Sequence, residues 1–231
     1  MDRRTFVRQA LSGLGLAIIP SSTLRAAGAP VALPPTVLAP LGRLPVPVPV
    51  PATPGPAAQL DTLPFARLLD RARGALDSHG RAFQLRDRVG LADFNAASRE
   101  HRFHIVDLVS GQTSSYLVAH GRGSDPSHSG FLQSFSNQPN SLATSEGTYR
   151  TGAIYYGKHG VSMRLDGLDY SNNNAEARAI VVHGADYVSE AHISSWGKAG
   201  RSEGCFAVAP HLISQVIGLL GPGRMIYAAK V

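Results

Sequence analysis

The chain carries one cysteine, Cys205, in the run Gly200-Arg201-Ser202-Glu203-Gly204-Cys205-Phe206-Ala207-Val208. Twenty-two residues upstream, His183 ends the apolar run Ile180-Val181-Val182 and is followed by Gly184. A thiol becomes a competent nucleophile at neutral pH when a base takes its proton or a cation stabilises the thiolate, and histidine can do either. Gly204 allows a sharp turn before the thiol and presents an N–H with no side chain in the way, as an oxyanion donor requires. Together these residues have the makings of cysteine acyl transfer. The competing reading is a core cysteine, because free cysteine is among the most buried residue types. The polar lead-in Arg201-Ser202-Glu203 is not how a core strand begins.

Of the nine histidines, His183 is taken as the base because it stands at a rigid strand end before a glycine. His79, His101 and His128 lie in polar or loop-like stretches, His120 and His159 flank glycines, and His192 and His211 lie nearer the cysteine. A zinc site from Cys205, His183, His192 and His211 is not expected: their spacings match no common zinc pattern, and neither Cys-x-x-Cys nor His-Glu-x-x-His occurs. The Asp166-Gly167-Leu168-Asp169 and Asn172-Asn173-Asn174 segments lack the ligand spacing of a calcium loop and read as turns. Phosphate-loop, dinucleotide and Gly-x-Ser-x-Gly signatures do not occur, so no cofactor is expected.

Residues 1–29 read as an export signal. Arg3-Arg4 with Phe6 close behind, the weakly apolar Ala10 to Ile19, and the small residues Ala26 to Ala29 give the three regions of such a signal, of twin-arginine type. The apolar part is about half the roughly 20 residues needed to span a bilayer, and Gly13, Gly15 and Pro20 break it. The predicted location is therefore the periplasm or cell envelope, without stable membrane insertion of the mature domain. Arg3, Arg4, Arg8 and Arg25 against Asp2 supply +3 of the chain's +6, leaving a mildly basic remainder with no clustered basic stripe. Nucleic-acid binding is not expected; weak steering toward an anionic wall polymer is compatible. Residues 30–60, with Pro45, Pro47, Pro49 and Pro51 in alternation, form an extended spacer. An exported lone thiol is exposed to oxidation, so its being unpaired needs a reason.

The catalytic unit is assigned to residues 61–231, long enough for one self-sufficient core. Thr62 and Pro64 open a helix whose apolar positions are Phe65, Leu68, Leu69, Ala72 and Leu76, with Gly80 as the stop. Two hairpins follow, Phe103–Leu108 with Thr113–Val118, and Thr148–Tyr156 with Val161–Leu168. Ala179–His183 is a short strand, Pro210–Leu220 a helix, and Met225–Val231 a closing strand. The expected fold is mainly β with flanking α-helices, an antiparallel or mixed sheet or a sandwich in a single domain.

The pairing of Ile180-Val181-Val182-His183-Gly184 with Arg201-Ser202-Glu203-Gly204-Cys205 resembles the catalytic domain of bacterial murein L,D-transpeptidases, in the branch with a Ser-x-Gly-Cys motif. The resemblance runs from about Gly90 to Val231, with support in Val118-Ala119-His120-Gly121, Ser145-Glu146-Gly147-Thr148-Tyr149 and Leu165 to Asp169. Glu203 and Ala207 depart from it, standing where many members have histidine and arginine. The resemblance implies that Cys205 attacks the diaminopimelate–D-alanine bond of a tetrapeptide stem and passes the acyl group to an amine, cross-linking peptidoglycan. In it His183 is base and then acid, the Gly184 carbonyl orients its ring, and the N–H groups of Gly204 and Cys205 hold the oxyanion. Ser202 would support the loop and Arg201 would meet a substrate carboxylate. Hydrolysis of the same acyl-enzyme, as a murein carboxypeptidase or endopeptidase, and an inactive wall-binding module remain open alternatives.

Overall fold

The computed structural model describes residues 63–231. The expected export signal, the proline-rich spacer and the Thr62 cap lie outside the described residues. Helix α1 (Leu63–Ser78) is the first element, close to the range read from its apolar spacing. Eight strands then form one mixed sheet: β1 (Arg88–Asp93), β2 (Phe103–Asp107), β3 (Thr113–Tyr116), β4 (Gly147–Gly157), β5 (Gly160–Gly167), β6 (Val181–Gly184), β7 (Phe206–Val208) and β8 (Met225–Ala229). Their spatial order is β3-β2-β1-β8-β4-β5-β6-β7. Helix α2 (Glu190–Trp196) connects β6 to β7, and α3 (Ile213–Leu220) precedes β8.

Both expected hairpins form, β2 with β3 and β4 with β5, each antiparallel. The sheet is nonetheless mixed, because β1 pairs parallel with β8 and β6 parallel with β7. The sandwich alternative is replaced by one sheet that curls until its ends nearly meet. Beyond β3 the chain crosses to the far edge, where the Ala119 N–H donates to the Ala207 carbonyl at 2.9 Å.

The sheet's centre is covered on both sides, and the period-two alternation shows how. Val89, Leu91, Val106, Met225 and Ala229 face α1 through Leu68, Ala72 and Leu76. Their alternates Ala92, Phe103, Ile105, Ile226 and Ala228 face α3 through Val216, Ile217 and Leu220. Strand β1 went unread because burial on both sides removes the polar half of the pattern. Gly90 interrupts it further: a Cβ there would stand 3.1 Å from Ile226 and 3.2 Å from Phe103. Helix α2 buries none of its residues, so it has no apolar face to read. Its ends are capped: Ser189 Oγ accepts the His192 N–H at 3.1 Å, and Gly197 closes the helix in the left-handed region.

Candidate active site

Strand β6 delivers His183 and the chain entering β7 delivers Cys205. In the parallel register Val182 lies opposite Phe206 and His183 opposite Ala207. Phe206 and Val182 turn into the main core. The neighbours on the other face, Cys205 and His183, therefore share one side of the sheet. Both line a cavity of about 610 Å³ whose other walls include Arg178, Arg201 and the tip of the β4–β5 hairpin. That tip contributes Tyr155, Lys158 and His159, all distant in sequence from the Gly-Cys segment.

The turn before the thiol is closed by one hydroxyl. Ser202 Oγ donates to the Cys205 carbonyl at 2.7 Å and accepts the Gly204 N–H at 3.2 Å. The Gly204 N–H, expected to hold an oxyanion, is thus occupied within the turn. Among the described residues no acceptor takes the Cys205 N–H, which leaves that group open to a ligand. Gly204 has φ +117°, and a Cβ there would come 2.7 Å from the Ala143 carbonyl oxygen and 2.8 Å from Ile180 Cδ1. Gly204→Ala is expected to cost about 1–3 kcal/mol through backbone strain and to displace the thiol. Urea unfolding, together with the rate of Cys205 alkylation, measures both.

Arg201, expected to meet a substrate carboxylate, is engaged elsewhere. Its Nη1 donates to the Asp125 carbonyl and, at 3.2 Å, to the Pro126 carbonyl. Arg178 had no place in the sequence reading, yet it stands in the cavity wall beside the cysteine. Its guanidinium is held by the Ser136 carbonyl at 2.9 Å, Ser145 Oγ at 2.6 Å, Ser141 Oγ at 3.2 Å and the Ala143 carbonyl. So fixed, it acts on the site as a positive charge rather than as a mobile clamp. Lys158, exposed at the hairpin tip, has no ion-pair partner among the described residues.

The resting protonation states follow from burial. Burial raises the Cys205 thiol above its ordinary 9.0, and the Val181 N–H and the Arg178 charge offset this only in part. The thiol's contact is with the Ala179 carbonyl, at 3.6 Å. Ala179 holds φ +54°, a left-handed conformation unusual for a residue with a Cβ, and its carbonyl meets the sulfur. His183 is buried, and that burial lowers its pKa below 6.5 despite the hydrogen bond to Gly184. Its Nδ1 lies 2.9 Å from the Gly184 carbonyl, so Nδ1 carries the proton and Nε2 keeps a lone pair. The His159 ring stacks on it with centroids 4.3 Å apart. At neutral pH the cavity therefore holds a protonated thiol and a neutral imidazole on one face of the sheet, with the thiol hydrogen directed to the Ala179 carbonyl rather than to His183.

Behind the turn that carries Cys205 lies a buried charged network. The Ser202 N–H donates to the His120 carbonyl, and the Arg122 N–H to the Ser202 carbonyl. Arg102, 1% exposed, donates to the Val118 carbonyl at 3.0 Å and to His120 Nδ1 at 2.7 Å. This leaves His120 Nε2 as a donor toward Asp125, 3.4 Å away. Burial pushes the Asp125 carboxyl up, but hydrogen bonds from Ser129, Gly130 and His120 outweigh it and hold the group below its ordinary value. Burial also pushes His120 and His104 down to about 4. Above pH 6.5 these two rings are neutral in both folded and unfolded chains. As pH falls toward 4 the unfolded chain takes up protons that the folded one refuses, so stability is lost across that window. The slope is on the order of 1 kcal/mol per pH unit for each ring. Urea denaturation between pH 7 and pH 4 checks it, with replacement of His104 reducing the slope.

A family model described as the L,D-transpeptidase catalytic domain matches residues 66–229. Solved structures that match the chain include an L,D-transpeptidase from Mycobacterium smegmatis, 16% identical, covering 62% of this chain and 58% of that one with TM-score 0.38. L,D-transpeptidase 3 from Mycobacterium tuberculosis, solved with a faropenem-derived adduct, is 12% identical over 62% and 60% with TM-score 0.41. The helical cell shape determining protein Pgp2 from Campylobacter jejuni is 12% identical over 64% and 48% with TM-score 0.40. The present chain therefore spans about half to three fifths of the length of these structures. No curated protein matches it. At these identities and TM-scores the structural likenesses carry no argument, whereas the domain match spans most of the sequence. The chain belongs to the L,D-transpeptidase catalytic-domain family.

Proposed function

We propose that the protein is a peptidoglycan L,D-transpeptidase that works by cysteine acyl transfer outside the cytoplasm. The observation that carries this reading is the placement of Cys205 and His183 on one face of the β6–β7 pair, in one cavity. His183 Nε2 takes the thiol proton as sulfur attacks the carbonyl between diaminopimelate and the terminal D-alanine. The Cys205 N–H receives the developing oxyanion. The imidazolium returns its proton to the D-alanine amine, the C–N bond breaks, and a thioester remains. An amine from a second stem, deprotonated by the same nitrogen, attacks the thioester and regenerates the thiol. Ser202 keeps the turn rigid, the Gly184 carbonyl fixes the imidazole tautomer, and Lys158 is better placed than Arg201 to meet a substrate carboxylate.

Among the described residues no helix is long and apolar enough to cross a membrane. Export by the N-terminal segment, with action in the periplasm or cell envelope, is part of the same proposal.

Incubating the full chain with disaccharide tetrapeptides and resolving products by mass spectrometry tests it. The expected result is one D-alanine released for each cross-linked dimer. Tripeptide monomers without dimers would show that water, not an amine, is the acceptor.

A further inference from the structure

On another part of the surface a second cleft, of about 510 Å³, opens between residues 135–138 and 170–174, with Glu146 at its edge. Its size is inside the range of about 300–1,000 Å³ typical of ligand clefts. Its walls are tied together by Asn137. The Asn137 amide donates to the Tyr170 carbonyl at 2.9 Å and to Asn173 Oδ1 at 2.7 Å. Asn137 Oδ1 accepts the Asn174 N–H at 3.2 Å, and Asn174 Nδ2 donates to the Asn137 carbonyl at 3.0 Å. Ser171 Oγ closes the rim on the Glu146 carbonyl at 2.8 Å. The cleft is thus built before any ligand arrives, which lowers the ordering cost of binding.

What its walls leave available is distinctive. Tyr170 is 92% exposed, and exposed Gln138 presents a side-chain amide with no partner among the described residues. The Asn173 Nδ2 group, whose Oδ1 accepts from Asn137, and the Glu146 carboxylate complete the set. Glu146 is the one charged residue lining the cleft, and no Lys or Arg reaches it, although the chain as a whole is basic. An anionic polymer therefore has nothing to bind here. Nor does an added peptide strand, because both walls are loops without a free strand edge. Planar amides, a carboxylate and a flat exposed ring suit a neutral ligand that carries hydroxyls and amides on its rim and C–H groups on its face. A pyranose bearing an N-acetyl group is such a ligand.

Arg178 ties this cleft to the cysteine cavity. It lines the cavity, and its guanidinium holds the carbonyl of Ser136 in the wall of the cleft. We infer that the cleft is a subsite for an N-acetylated amino-sugar chain, the glycan to which the donor stem is attached. The choice of polymer rests on the transpeptidase reading; the chemistry of the cleft does not.

Two measurements on the full chain separate the ideas. Titration with a hexamer of N-acetylglucosamine, followed by NMR, is expected to show saturable binding that Tyr170→Ala weakens about tenfold, equivalent to about 1.4 kcal/mol. Gln138→Ala should weaken it in the same direction. Acylation of Cys205 by a glycan-linked tetrapeptide should fall with Tyr170→Ala, while acylation by the free tetrapeptide should not change. Absence of saturable sugar binding, or binding indifferent to both substitutions, overturns the subsite even if free tetrapeptide acylates Cys205. Sugar binding lost in Tyr170→Ala, with neither peptide acylating the protein, keeps the cleft and removes the transpeptidase reading.

Discussion

Cys205→Ala is expected to leave a folded protein that forms no acyl-enzyme and no cross-linked product. Loss of a nucleophile typically removes a factor of about 10⁴ or more from turnover, because the remaining groups can bind but not form the covalent intermediate. The fold should tolerate the change. The sulfur is at the wall of the cavity and its hydrogen bond to the Ala179 carbonyl is long at 3.6 Å. A stability change below about 1 kcal/mol by urea denaturation is the matching control. Because folding and chemistry separate at this position, a turnover loss cannot be laid to unfolding.

His183→Ala should lower acylation at pH 7 by a factor of about 10²–10⁴, the usual contribution of a positioned general base. The pH dependence distinguishes this role from a merely structural one. In the unsubstituted protein the base must be neutral, and burial keeps His183 below 6.5, so the rate should be flat at neutral pH and fall only on the acid side. Without the base the thiol must ionise alone, and burial raises it above 9.0. Acylation of the variant should then climb with pH without levelling before 9.0. A resting thiolate–imidazolium pair would instead make the native protein react rapidly with iodoacetamide at mildly acidic pH. Slow alkylation there is the expected outcome. A variant within threefold of the native rate at pH 7 would remove His183 from the chemistry.

Sequence periodicity revealed elements through alternation of residue type rather than through exposure: β2 was read although Phe103 to Val106 are all buried. Helix α1 shows Leu68, Ala72 and Leu76 at helical spacing, and the β2–β3 and β4–β5 hairpins alternate about glycine-containing turns. Strand β7 is three residues long, too short to carry a period, although it is what brings the thiol beside β6. The parallel pairings were illegible for a related reason. Register depends on which distant strand is adjacent, and nothing within β1 or β6 names β8 or β7 as the partner.

The candidate thiol and base could be picked out of the sequence, and the groups that surround them could not. A lone cysteine after glycine and a histidine at a strand end are local patterns. The contributions of Arg178, Lys158 and His159 depend on where the β4–β5 hairpin tip and the segment before β6 come to rest. The resemblance offered Arg201 for a substrate carboxylate, and its guanidinium turns instead to the Asp125 and Pro126 carbonyls. Gly204 was read as a donor because glycine leaves its N–H accessible, yet Ser202 two residues before takes that hydrogen. His120 looked like one more strand-end histidine. Its role emerges only once Arg102 and Asp125 are seen buried against it.

The most direct test of the reaction is to trap its intermediate. The full chain is incubated with a tetrapeptide donor and no amine acceptor, then examined by intact mass and by peptide mapping. One tripeptide acyl group on Cys205, with D-alanine released in equal amount, is the predicted result. An unmodified Cys205 alongside consumed donor, or the acyl group found on another residue, would contradict the assignment of this thiol as the nucleophile.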